Sequence, residues 1–234
     1  MSAIKSAIKA IIPPYLLELA REKSPIENVM SQIGLRGCSL TAMDALEVFG
    51  RDGRWHTKQY AHLVKSLEVW ELQEKYLPQL QENLPGARFR IVDSYKEIQK
   101  TKKKFGLVVV DNSMGIFVDD PYDGEPPTRY CEHFDLFPDI FRVLTDRAVV
   151  IVNVIPQATP SAMKKYPKLF CAEQLLRRSS FYGSDQPDSI LLPEMQKAYT
   201  RIAGQNGFHT EWMFSERRGM GVVYYMAMGL RRIS

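Results

Sequence analysis

The stretch from Met43 to Glu71, MDALEVFGRDGRWHTKQYAHLVKSLEVWE, constrains the fold of this 234-residue chain more than any other. An apolar run from Ala45 to Phe49 stops at Gly50, and a polar turn, Gly50-Arg51-Asp52-Gly53, follows. Trp55 to Lys65 reads as a helix, and Leu67 to Trp70 is a second apolar run closing on Glu71. Strand, glycine turn, helix, strand and acid within about thirty residues is the layout of a nucleotide-binding βαβ unit. The chemistry suits that layout. Glycines let a backbone approach a ligand closely and accept positive φ, and a helix start exposes unpaired N–H groups. An acid ending the second strand can accept the hydroxyl hydrogens of a ribose. The turn is not G-x-G-x-x-G and carries both Arg51 and Asp52, so a dinucleotide pyrophosphate is not indicated.

The rest of the chain supplies a matching series of elements. Gln73 to Asn83 reads as a helix, Ala87 to Val92 alternates as a third strand ending on Asp93-Ser94, and a short helix lies in the basic run Lys96 to Lys104. That run lacks interleaved aromatics, so it reads as a solvated helix face and not as a nucleic-acid patch. Phe105 to Val110 is a continuous apolar run of the kind buried on both faces of a parallel sheet, and it ends on Asp111-Asn112. The loop from Met114 to Thr128, with three Asp, one Glu and three Pro, has few helix or strand signals and reads as functional. Tyr130 to Leu144 is expected to be a helix, Ala148 to Val154 a buried strand, and Leu169 to Arg178 and Ile190 to Ala203 two further helices. Gly207 to Phe214 and Gly221 to Leu230 close the chain as a hairpin.

Before this domain, residues 1–42 read as an N-terminal helical cover, leaving 43–234 as the main domain. Pro13-Pro14 divides two short apolar helical pieces, and Ser24-Pro25 starts another through Ile33. The leader reads as docked on the domain; a peripheral membrane contact through its basic amphipathic first piece is the competing reading. Three scattered cysteines form no disulfide framework and favour a reducing, cytoplasmic setting. No apolar run reaches eighteen residues.

Glu47, Gly50, Gly53 and Glu71, together with the order of strands and helices over about residues 43–230, resemble the class I S-adenosylmethionine (SAM)-dependent methyltransferases. The family's Glu-x-Gly-x-Gly-x-Gly turn becomes Glu47-x-x-Gly50-x-x-Gly53, with Phe49 and Arg51 where small residues are usual. The resemblance implies an α/β, Rossmann-like sheet of seven mostly parallel strands in the order 3-2-1-4-5-7-6, with strand seven antiparallel and helices on both faces. It also implies SAM as cofactor, with Glu47 and Gly50 at its amino-acid end, Gly53 in the turn, Glu71 on the ribose and Asp93 and Ser94 near the adenine. An N-cap role for Asp93 or Ser94 is equally open. Asp111 would face the methionine end or the acceptor.

For a catalytic base the sequence offers His56, just past the glycine turn, and His133, just past the long loop. His133 with Asp111 is the preferred pair. No metal site is expected, because His and Cys do not fall at metal-ligand spacings. The resemblance thus implies methyl transfer to an oxygen, less readily a nitrogen, of a small molecule or glycan precursor, without nucleic acid, and is compatible with a homodimer. Replacing Glu71 should weaken cofactor binding with little change in ligand-free stability. Two rivals remain. Phe49 to Gly53 and Val110 to Ser113 also resemble the loops of spermidine synthase, an aminopropyltransferase, though the second acid expected near Asp111 is missing. The irregular turn also suits a methyltransferase-like scaffold without catalysis.

Overall fold

The structure, a computed structural model, describes residues 23–111, 133–157, 159, 164, 172–218 and 222–233. The first two leader pieces, the loop from Met114 to Thr128, and Asn112 lie outside the described residues.

The first described helix, α1 (Pro25–Leu35), is started by a reciprocal cap: Ser24 Oγ accepts the Glu27 N–H at 3.4 Å, and Glu27 Oε2 accepts the Ser24 N–H at 2.8 Å. Both are donors that a helix start would otherwise leave unpaired, and Pro25 at the first position has none to lose. Its Ile26, Val29, Met30 and Ile33 are buried against the sheet, so this piece is part of the domain core.

Seven strands follow: β1 (Asp44–Glu47), β2 (Ser66–Glu71), β3 (Arg88–Ile91), β4 (Phe105–Val110), β5 (Leu144–Val154), β6 (Phe208–Arg217) and β7 (Tyr224–Arg232). Their order in the sheet is β3-β2-β1-β4-β5-β7-β6, with β7 antiparallel to both neighbours and the remaining pairs parallel. This is the expected topology. All six residues of β4 are buried, as its unbroken apolar run requires of a strand covered on both faces. Side-chain alternation splits the core in two. Leu46, Trp70, Val108, Val110, Val150 and Val152 face one layer, and Ala45, Val69, Leu107, Val109, Ile151 and Tyr225 face the other.

The connecting helices are α2 (Thr57–Tyr60), α3 (Leu77–Asn83), α4 (Ser94–Lys100), α5 (Phe137–Ile140), α6 (Ala172–Tyr182) and α7 (Leu192–Gln205). Two differ from expectation. The helix expected over Trp55 to Lys65 shrinks to α2 and a 3-10 turn, Ala61–Leu63. Gly53 at φ 67° delays its start, and a hydrogen bond from Lys65 N to Met43 O already aligns β2 with β1. The helix expected over Tyr130 to Leu144 is, within the described residues, only α5 and a 3-10 turn, Phe141–Val143. Leu144 belongs instead to β5, which pairs from Phe105↔Leu144 onward. The β-branched Thr145 suits that extended path, and Pro138 sits in the first turn of α5, where it removes no helical hydrogen bond. No helix among the described residues is long and apolar enough to cross a membrane.

Candidate active site

Parallel strands end together, so β1, β2, β4 and β5 bring their carboxyl ends to one edge, where ligands of open α/β sheets bind. The glycine turn leaves β1 there. Gly50 N donates to Trp70 O at 2.9 Å, extending the β1–β2 pairing by one step beyond Glu47. A Cβ on Gly50 would lie 2.2 Å from Val69 Cγ1, and one on Gly53 would lie 2.7 Å from Leu84 Cδ1. Both glycines are therefore required by the turn's approach to β2 and to Leu80 and Leu84, with Gly53 also at positive φ. Between them, Arg51 takes φ 46°.

Glu71, expected to hold a ligand, first holds the turn. Its Oε2 accepts the Arg51 N–H at 2.6 Å, and its Oε1 accepts the Gln73 N–H at 2.8 Å. Burial raises its pKa, against the lowering effect of backbone N–H groups including those of Gln73 and Arg51. Each carboxylate oxygen has capacity for one more donor, so the clasp leaves a ribose diol acceptable. The expectation that ligand-free stability is indifferent to Glu71 is revised: removing it would strand two N–H groups.

Asp93 caps α4, its Oδ1 accepting the Tyr95 N–H at 3.1 Å, while Ser94 Oγ donates to Val48 O at 2.6 Å. These bonds tie the α4 start to the residue after β1.

A polar cluster occupies the same edge on the α1 side of the sheet. Glu47 is fully buried, and its Oε2 accepts the Tyr60 hydroxyl at 2.5 Å and Thr57 Oγ1 at 3.3 Å. Its Oε1 has no hydrogen-bond partner among the described residues. Burial, then the nearby Asp111 charge, push its pKa up to about 8. Asp111, at the end of β4, has its Oδ1 held by Asn153 Nδ2 at 3.0 Å and Arg218 Nη1 at 2.7 Å. The Tyr225 hydroxyl reaches its Oδ2 at 3.3 Å. Burial raises the Asp111 pKa to about 6, with Arg218 and Tyr225 opposing the rise. His56 completes the group: Arg218 Nε donates to its Nε2 at 3.1 Å, and that nitrogen lies 3.7 Å from Asp111 Oδ2. Burial and the Arg218 charge lower the His56 pKa to about 3, so the ring is neutral near pH 7.

His133 is placed elsewhere. It is fully buried among Phe134, Phe137, Phe181 and Tyr199, with Nε2 2.7 Å from the Tyr199 hydroxyl, which in turn lies 3.3 Å from that of Tyr182. Burial alone lowers its pKa to about 3. None of its hydrogen-bond or ring partners among the described residues belongs to the Asp111 cluster.

Sequence reasoning thus named Glu47, Asp111, Glu71 and His56, which the fold brings to this edge, but not Tyr60, Arg218 or Tyr225. Tyr60 lay in an expected helix without periodic signal. Arg218 and Tyr225 lie more than 100 residues from Asp111 in sequence and reach it only because β7 runs back beside β5.

No family model and no curated protein sequence matches the chain. Solved structures do. Burkholderia thailandensis 1,6-didemethyltoxoflavin-N1-methyltransferase is similar over 91% of this chain and 80% of its own, at 11% identity and TM-score 0.51. Magnesium protoporphyrin IX methyltransferase from Synechocystis PCC 6803 is similar over 88% and 81%, at 13% identity and TM-score 0.51. The N-methyltransferase NodS of Bradyrhizobium japonicum WM9 is similar over 91% and 90%, at 13% identity and TM-score 0.50. With the strand order above, these likenesses define the fold as that of the class I SAM-dependent methyltransferases.

Proposed function

We propose that this chain is a SAM-dependent methyltransferase whose acceptor atom is an oxygen of a small molecule or glycan precursor. The observation that carries the reading is the set of acid side chains at the ends of β1, β2 and β4, Glu47, Glu71 and Asp111, gathered around a glycine turn at one sheet edge. Spare acceptor capacity on Glu71 and a carboxylate on Asp111 fit a ligand rich in hydroxyl and ammonium donors, and the unpartnered Oε1 of Glu47, protonated near pH 7, adds a donor at the same edge. All three similar enzymes named above fold around the same topology, and each was solved with S-adenosylhomocysteine bound.

In this reading Glu71 holds the ribose hydroxyls while clasping the turn, and Glu47 borders the amino-acid end. Asp93 and Ser94 shape the adenine side by fixing the start of α4. Bound SAM supplies an electrophilic methyl carbon, so the protein's work is alignment of the acceptor and removal of its proton. A carboxyl titrating at about 6 on Asp111 suits a hydroxyl acceptor, because it is ionised at neutral pH and still basic enough to take a proton. His133, set among Phe134, Phe137, Phe181 and Tyr199, holds an aromatic layer, and proton removal falls to Asp111.

Incubating the chain with methyl-labelled SAM and separate panels of hydroxyl-bearing and amine-bearing small molecules tests the reading. Label is expected among the hydroxyl acceptors. Transfer confined to amines, or to added RNA, would overturn the acceptor class, and an inert chain that binds neither SAM nor its demethylated product would favour the scaffold.

A further inference from the structure

Arg218 stands at the end of β6, on the connection to β7, yet its guanidinium crosses to the end of β4. Three contacts fix it there: Nη1 on Asp111 Oδ1 at 2.7 Å, Nε on His56 Nε2 at 3.1 Å, and the guanidinium carbon 5.4 Å from the Tyr225 ring centroid. Each contact constrains its partner. Because Nε2 of His56 accepts from a guanidinium N–H, the single proton of the neutral ring must reside on Nδ1. That Nδ1 is buried and has no hydrogen-bond partner among the described residues. On Asp111, Oδ1 is filled by Asn153 and Arg218, whereas among the described residues Oδ2 accepts only the longer Tyr225 hydroxyl.

We infer that Arg218 is a positioning residue of the site: it holds Asp111 through Oδ1 and His56 through Nε2, so that Oδ2 is the carboxylate oxygen it leaves unclaimed and Nδ1 carries the ring proton. The inference deepens the methyltransferase reading by naming the residue that orients Asp111, the proton acceptor proposed there, and it rests on that reading only for the identity of the ligand. The arrangement itself belongs to the ligand-free protein.

Among the described residues, the charged and titratable groups facing Asp111 are Glu47 from β1, Tyr60 from α2, Tyr225 from β7, His56 from the turn before α2, and Arg218. Those facing His56 are Arg218 and Asp111, with the Tyr225 ring edge-on at 5.6 Å between centroids. Of these only Arg218 is a fixed cation. It favours an ionised Asp111 and opposes a second positive charge on His56, whose ring otherwise sits close to a carboxylate. Without Arg218, His56 and Asp111 would become a direct ion pair across their 3.7 Å separation.

Nitrogen-15 NMR of the histidines in the ligand-free, full-length chain tests this without any cofactor. In the unaltered protein His56 is expected as the Nδ1–H tautomer, remaining neutral from pH 8 down to about 5. In Arg218→Met its titration midpoint should rise by about 1 pH unit or more, and Arg218→Lys, which restores a cation, should return it most of the way. A purely structural Arg218 would move neither the tautomer nor the midpoint. An Nε2–H tautomer in the unaltered protein overturns the inference, as does an unchanged midpoint in Arg218→Met. Should Arg218→Met fail to fold, the tautomer of the unaltered protein and the Arg218→Lys midpoint decide: an Nε2–H form, or a Lys variant titrating near 6.5, contradicts it. Loss of SAM binding with these signatures intact would instead remove the methyltransferase reading and leave Arg218's role standing.

Discussion

Two histidines of this molecule, His56 half-buried and His133 fully buried, are each neutral with an Nδ1 that no described residue partners, yet they occupy different chemical settings. His56 lies at the carboxyl edge of the sheet beside a carboxylate and a guanidinium, with its ring in part reached by solvent. His133 lies in a cage of four aromatic rings, and its one polar partner among the described residues is the Tyr199 hydroxyl. Burial depresses both, but only His56 is also acted on by a neighbouring charge. The lesson is that a shifted histidine marks a chemical site only when charged groups converge on it; burial by itself makes a packing residue that happens to be polar.

The largest expected difference between the two regions is in turnover. Asp111→Ala should reduce methyl transfer by roughly 10²–10⁴-fold, the range for losing a general acid–base group. It would also strand Arg218 without its counter-charge, so its stability should be measured in parallel. Near-normal turnover in that variant would detach the chemistry from the polar cluster.

His133→Ala should act through stability instead. It opens a space among Phe134, Phe137, Phe181 and Tyr199 and removes the Tyr199 partner, a change expected to cost about 2–5 kcal/mol in denaturant unfolding. His133→Phe refills the ring and should cost less. A 10²-fold loss of turnover at unchanged stability would make His133 a chemical group after all.

The two regions also part in their pH dependence. Glu47 has its folded pKa raised to about 8, so the folded state holds a proton that the unfolded chain has released; its contribution is present at low pH and is lost as pH rises through 8. His56 and His133 have folded pKa values lowered to about 3, so the unfolded state binds their protons first, and stability falls as pH drops from 6.5 toward 3. Asp111, raised to about 6, opposes the histidines between about pH 4 and 6. Above pH 6.5 Glu47 acts alone among these four. Stability should decline on the order of 2 kcal/mol from pH 6.5 to 8, and Glu47→Gln should flatten that limb. A limb that persists in Glu47→Gln would assign it to another group.

How much of this was legible beforehand follows the range of the interactions. The βαβ unit was readable because its signals are local: an apolar run, a glycine turn and a terminal acid within thirty residues. The succession of such units called for a mostly parallel sheet, the full strand order came from the resemblance to the class I methyltransferases, and β4 matched its expected bounds because Phe105 to Val110 is apolar without interruption. Short helices were overextended where tertiary pairing decides: Leu144 reads as helical in isolation but is claimed by Phe105 on β4. The site was legible only in part. Glu71's dual service, clasping Arg51 and Gln73, depends on a turn that bends toward β2, which no spacing rule announces. The approach of Arg218 to His56 spans 162 positions and exists only because the hairpin of β6 and β7 runs back beside β5.

Calorimetric titration of SAM and S-adenosylhomocysteine into the unaltered chain and into Glu71→Ala tests the central claim, that the acid-rich carboxyl edge binds this cofactor. Circular dichroism should first confirm that Glu71→Ala remains folded, since two stranded N–H groups are expected to cost it about 1–3 kcal/mol each. The unaltered chain should bind one equivalent of either compound, and Glu71→Ala should bind more weakly by about 1.5–3 kcal/mol, roughly 10–150-fold in Kd. Binding of neither compound to the unaltered chain, or equal affinity in the folded Glu71→Ala variant, would contradict it.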